Sequence, residues 1–429
     1  MPERPALQPT PEESLGHPEP LPERSLAMHR DQLKPEVRKY ADNLHAQALR
    51  IFEEQGVANL EEFAQKIKSR MISSKQAEHL EKLLEELQRT YRSDALPEHL
   101  EPLPASQLEK SLNLREQYES QVSLLERIGL IQELPQTHTL GLIGLDDKEY
   151  PLPSYRQIQE RLRPRENDLA TKATQGFTRL LIVPFGRRLL DLAKVYGDLL
   201  KDHQQRGLLL GENGEPVDIE NPAEPVRLTS LLAQKTELDN KGQTILVPDR
   251  TSGADETGAI VYYPRTFTKS NHGGNTKREL LRYGQGFSLL LLEQDLTIPR
   301  KKTTRVIGNR RKPPAGFPPS AYLHGLNKNK EPYNLEVGLT PEDWLTLSIY
   351  QLETTNQVLD DFRGIVQRGS TASWICFLIG SFLNISGTVP YASFGRSPYV
   401  GSSEGRAYLR EFRPDGASDD IGFRSAVKL

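Results

Sequence analysis

Only one cysteine, Cys376, stands among 429 residues. Neither an internal disulfide framework nor a cysteine-based zinc cluster is available to this chain. No uncharged apolar run approaches the ~18 residues a membrane span needs, so no membrane segment is expected. The opening MPERPALQPTPEE has no basic start followed by an apolar stretch. No secretory signal is therefore expected, and the expected location is a reducing cytoplasm. An excess of one charge is also missing: the net charge of −3 argues against binding polyanions over the whole surface. Catalytic signatures are lacking as well. There is no HExxH and no GxxxxGKS/T, and none of the nine histidines falls in the last hundred residues. His272-Gly273-Gly274-Asn275 with Lys277 has a phosphate loop's glycines without its spacing. Cys376 lies in Trp-Ile-Cys-Phe-Leu-Ile, an apolar setting that keeps a thiol inert. No catalytic residue, metal site or cofactor is expected.

What is present reads as an α+β chain in four parts. Residues 1–25 carry seven prolines in their first 22 positions, mixed with Glu and Arg, and read as a disordered leader. Residues 26–135 read as helices. Leu80, Leu83, Leu84, Leu87 and Tyr91 recur at helical spacing, Ser73 with Gln76 and Ser106 with Glu109 have capping-box spacing, and Gly129 marks a stop. This helical region is also the expected route to a homo-oligomer. Residues 140–330 read as mixed α/β. Strands are expected at LLIVPF (180–185), QTILVP (243–248), GAIVYYP (258–264) and FSLLLLE (287–293), with a helix from Leu189 to near Gly207. Residues 211–225 read as an acidic surface loop. The last part spans 335–429. Thr340-Pro341-Glu342-Asp343 is a helix start, with a capping Thr, Pro at the first helical position and acids at the positive end. Trp344, Leu345, Leu347, Leu352, Val358, Leu359 and Phe362 continue that helix in the sequence reading. Residues 421–428 alternate as a two-faced strand.

Two stretches have unusual composition. Residues 300–312 (RKKTTRVIGNRRK) hold seven basic side chains, and no acid occurs between 296 and 330. Such a stretch is either a solvated linker or a contact for nucleic-acid phosphates. Between 391 and 424 lie six aromatics and five arginines, many Ser and Gly, and no Lys, Gln, Met, Trp or His. Tyr, Arg, Ser and Gly are what recognition surfaces use: rigid contact area, forked donors and adaptable backbone.

The C-terminal hundred residues resemble the variable proteins of diversity-generating retroelements. The likeness is carried by GLTPEDWLTLSIYQLETTNQVLDDF (338–362), SWICFLIGSF (373–382), GTVPYASFGRSPYV (387–400) and RPDGASDDIGFRSAVKL (413–429). The closing Gly422-Phe423-Arg424-Ser425-Ala426-Val427 is similar to the end of the C-type-lectin-like domain shared with formylglycine-generating enzymes. The resemblance implies a C-type-lectin-like fold for 335–429 and a non-enzymatic, hypervariable ligand-binding protein. Its partner would be a protein or another macromolecule. Nucleic acid bound through 300–312 is the alternative. In such proteins mutated adenines turn an AAC-like codon into Tyr, Ser, Asp, Gly, Arg, Phe or Ile, but never Lys, Gln, Met, Trp or Glu. On this likeness the ligand contacts are Tyr391, Ser393, Phe394, Ser397, Tyr399, Ser402, Ser403, Tyr408, Arg410, Phe412, Ser418, Asp419 and Ile421. Glu404 and Glu411 fall outside the codon rule and would be invariant. Phe423, Arg424, Ala426 and Val427 would be scaffold. The cysteine pair of formylglycine-generating enzymes is absent, as are the Glu-Pro-Asn and Trp-Asn-Asp ligands of calcium-dependent lectins.

Overall fold

A computed structural model describes residues 35–57, 62–63, 65–66, 69, 72–93, 103–228, 231–238, 240–301, 303, 305–362, 372–395 and 405–429. The expected leader lies outside them. The chain divides into two compact units, 1–101 and 102–429. Helices and largely antiparallel sheets together make it α+β.

In the first unit, helices α1 (Pro35–Glu54) and α2 (Ser74–Ser93) pack through Val37, Ala41 and Leu44 against Leu83 and Leu87. Leu80, Leu83 and Leu87 of the stripe read from the sequence are buried, and Leu84 is half-buried. Ser73 accepts the Gln76 N–H ahead of α2, as the capping spacing predicts.

The second unit begins with a short helix whose N-cap is Ser106, which accepts the Glu109 N–H. Asn113 takes a left-handed conformation (φ 49°) and splits what the sequence reads as one helix. Helix α3 (Leu114–Arg127) follows, then α4 (Glu166–Thr174), strand β1 (Phe177–Val183) and α5 (Leu189–Gln205). A long hairpin comes next, β2 (Leu232–Leu238) and β3 (Thr244–Gly253), and then β4 (Ser288–Glu293), α6 (Pro319–Asn327), β5 (Glu336–Gly338) and α7 (Pro341–Thr355). Strands β6 (Ile375–Phe377), β7 (Val389–Gly395), β8 (Ala407–Phe412), β9 (Ile421–Phe423) and β10 (Ser425–Lys428) complete it. Helix α7 starts on the full Thr340/Asp343 capping box, but it stops at Asn356 in a left-handed cap (φ 60°). Val358, Leu359 and Phe362 therefore leave the helix and turn into the core as loop and strand.

One antiparallel sheet has the order β5-β10-β4-β1, with Leu291 opposite both Val427 and Leu180. The expected boundary near 330–335 accordingly does not separate two bodies: β10 lies between β4 and β5. Two glutamines one turn apart on α3 finish the free edge of β1. Gln117 and Gln121 exchange amide bonds with the backbone of Thr178, Leu180 and Ile182 at 2.6–2.9 Å, as a further strand would. A second sheet runs β9-β6-β7-β8. Helix α7 packs against α5 and strands β1 and β7, so its residues from Pro341 to Ile349 are all buried, Glu342, Asp343, Thr346 and Ser348 among them.

Charges buried inside tie these layers together. Asp360, fully buried and at φ 59°, accepts both Arg424 guanidinium N–H groups (2.7 and 2.8 Å) and the Trp344 indole N–H (2.8 Å). Its carbonyl accepts the Phe394 N–H, and its own N–H bonds Glu212. Glu336 holds Arg310, Lys172 and Ser425, while Glu293 holds Arg310 and Lys312. Lys277 sits between Asp255 (3.1 Å) and Glu342 (2.8 Å). Removing one partner of such a pair strands the other in the interior. We expect Asp360→Ala to lower stability by about 3–5 kcal/mol in urea denaturation; a loss below ~1 kcal/mol would mean the Asp360–Arg424 pair is energetically idle.

Candidate functional site

The sheet β9-β6-β7-β8 has two faces of different character. Its inner face presents Cys376, Ala392, Phe394, Ala407 and Leu409 to the large core. Burial raises the Cys376 thiol to about 12, which suits a core residue. The register sets Tyr391 opposite Arg410, Ser393 opposite Tyr408, Val389 opposite Phe412, and Phe377 opposite both Tyr391 and Phe423. Alternation puts all of these on the other face.

That face is floored by aromatics. Phe423 meets Tyr322 of α6 at 4.5 Å, Phe377 meets Phe412 at 5.3 Å, and Tyr391 meets Phe412 edge-on at 6.3 Å. Arg410 stacks on Tyr408 at 4.6 Å and Arg406 approaches the same ring at 5.8 Å. Beside it, Glu411 accepts the Thr388 hydroxyl at 2.7 Å, a cross-strand tie that suits a fixed position.

The sequence-derived contacts separate accordingly. Six of them, Tyr391, Ser393, Tyr408, Arg410, Phe412 and Ile421, share the outer face. Phe394 does not: it points into the main core. Tyr391, Ser393, Tyr408 and Ile421 are buried as well. These five are corrected from contacts to framework. Arg410, Phe412 and Ser418 are half-buried and Asp419 is exposed. Ser397, Tyr399, Ser402 and Ser403 lie outside the described residues. Phe423, Ala426 and Val427 are buried and Arg424 is ion-paired, as expected of scaffold.

The basic stretch 300–312 divides: Arg310 and Lys312 are buried, whereas Lys301, Arg305 and Arg311 are exposed. Arg310 is fully buried and Lys312 nearly so, both held by Glu293. Arg300 pairs with Asp420 and Arg305 with Asp295. The acids that neutralise it lie outside the run, where local sequence does not reveal them. Lys277, beyond the glycines of 273–274, is likewise occupied by carboxylates and not free for a phosphate.

Near the Asp360 hub a cavity of about 150 Å³ is lined by Glu212, Thr297, Gln351, Ser373 and Arg424, among others. Glu212 stands on an exposed loop, but its carboxyl end reaches in to Asp360. Burial, then the Asp360 charge, raise it to about 7. Sequence reading missed Glu212, because only its partner across the fold gives it meaning. Burial, opposed by the Thr340 N–H bond, likewise raises the Asp343 carboxyl to about 7. Among the described residues no group of three His, Cys, Asp or Glu is placed to hold a metal ion, and no helix is long and apolar enough to cross a membrane. No family model matches the chain, and neither a curated protein nor a solved structure is found to be similar to it.

Two outcomes follow from this arrangement. In thermal and urea unfolding, Tyr408→Ala should cost about 3 kcal/mol or more as a buried ring, whereas Asp419→Ala should change stability by less than ~0.5 kcal/mol. Equal effects would erase the division between floor and rim. The raised Glu212 and Asp343 carboxyls favour the neutral form in the folded state. Their contribution is complete below the unfolded carboxylate values near ~4 and is lost as pH rises through about 7. Stability measured from pH ~5 to ~8 should therefore fall, and Glu212→Gln should flatten the fall; an unchanged profile would contradict the assignment to Glu212.

Proposed function

We propose that the chain is a non-enzymatic ligand-binding protein, diversified by a retroelement, whose C-terminal part displays variable side chains on a C-type-lectin-like scaffold. One observation carries this reading. The segment with the recognition-type composition lies across a single sheet whose inner face and closing Gly-Phe-Arg-Ser are committed to the core, while its rim reaches solvent at Arg410, Phe412, Ser418 and Asp419. Ser418 and Asp419 lie in the loop beyond the strands, where a frame built on the sheet can tolerate exchange.

The contact set in this reading is Arg410, Phe412, Ser418 and Asp419, with Ser397, Tyr399, Ser402 and Ser403 carried from the resemblance alone. The aromatic floor stiffens it. Binding energy is concentrated in a few anchors, each worth about 1–3 kcal/mol on truncation to Ala. The ligand is a protein or another macromolecule. Nucleic acid bound through 300–312 is the second reading, and it is weakened because Arg310 and Lys312 are spent on internal carboxylates.

The locus itself provides the test. Sequencing around the coding region should reveal a near-identical repeat of its 3′ end, differing at adenines, beside a reverse-transcriptase gene. The codons of Arg410, Phe412, Ser418 and Asp419 should fall among the differing positions, and those of Trp344, Asp360 and Arg424 should not. A locus with neither repeat nor reverse transcriptase overturns the proposal.

A further inference from the structure

The β2–β3 hairpin is the part of the second unit least explained by its own contacts. Its ladder runs from Leu232 opposite Gly253 to Leu238 opposite Thr244, and residues 234–238 are exposed on both sides. Among the described residues no third strand pairs with it. A two-stranded ribbon of this kind is marginal alone in water. Apolar side chains nevertheless stand out near its tip, Leu238 at 71% exposure and Ile245 at 41%.

The two edges of the ribbon differ. β3 carries Pro248, which has no N–H to give a neighbouring strand. β2 reads Ala-Gln-Lys-Thr-Glu-Leu over 233–238, with a donor at every position and no like-charge block. Turned on itself, this short sequence is self-complementary. Antiparallel pairing about Thr236 sets Lys235 opposite Glu237 of a second copy and Glu237 opposite that copy's Lys235, with threonine facing threonine at the axis. Within one chain Lys235 and Glu237 already share a face, 2.9 Å apart and half exposed, so each charge can meet a second partner without changing side. Leu238 then lies across from the second copy's Gln234 on the opposite face. The operation is two-fold, so the contact closes on itself and does not propagate.

We propose that the chain forms a homodimer by pairing β2 with β2 of a second copy, giving a four-stranded antiparallel ribbon held in register by two Lys235–Glu237 pairs. This stands independently of the ligand-binding reading.

Sedimentation velocity of the full chain over a concentration series tests it. Wild type should dimerise. Lys235→Glu and Glu237→Lys should each weaken the dimer about tenfold or more, because each sets like charges opposite one another at both symmetric positions. The double exchange K235E/E237K should restore it, and an equal mixture of the two single variants should form a heterodimer. Circular dichroism should be the same for all, since both positions are exposed. A protein monomeric at every concentration overturns the proposal, and so does a dimer indifferent to the single reversals, such as one formed through the helical first unit.

Discussion

The Asp360–Arg424 pair holds the second unit together. A guanidinium withdrawn from water costs several kcal/mol unless its geometry is filled, and a forked carboxylate fills it. Asp360 also receives the Trp344 indole, passes its carbonyl to Phe394 and its N–H to Glu212. The remaining Arg424 donor, Nε, binds the carbonyl of Leu296. One residue in a left-handed conformation thus connects the central helix, the second sheet, the acidic loop and the end of the other sheet. Such a conformation persists because its surroundings over-determine it.

The other buried charges extend the same logic. Glu336, Glu293 and their cations clamp α4 and the basic stretch to the sheet that contains β10, while Lys277 joins Asp255 to the first turn of α7. Specific ionic contacts of this kind set where each layer lies more than they add net stability. On the outer face of the second sheet aromatic rings stack on one another and Arg410 stacks on Tyr408.

Much of this was legible in the chain. The Thr340-Pro341-Glu342-Asp343 start, the capping serines 73 and 106, the strands around 180 and 290, and the inert Cys376 follow from local chemistry, and local chemistry suffices for them. What could not be read locally depended on distant partners. The run of basic residues from 300 looked like a surface because its acids, Glu293, Asp295 and Asp420, lie outside it. The end of α7 was overrun because Val358 and Leu359 continue an apolar pattern that the left-handed Asn356 ends. Tyr391 and Tyr408 are buried, but period-two alternation does not say which face of a sheet is covered; around Phe377 and Phe423 it is Tyr322 of α6, from far upstream, that covers it.

The placement of β10 has a consequence for how variation is filtered. This strand is translated after every position discussed as exchangeable, yet it sits between two partners and supplies Arg424's neighbours. Any insertion or deletion that shifts the reading frame anywhere before residue 425 replaces it with unrelated residues. The sheet then lacks the strand that pairs with both β4 and β5. On the proposed reading, exchange at the rim would leave β10 in place, whereas a frame error would remove it.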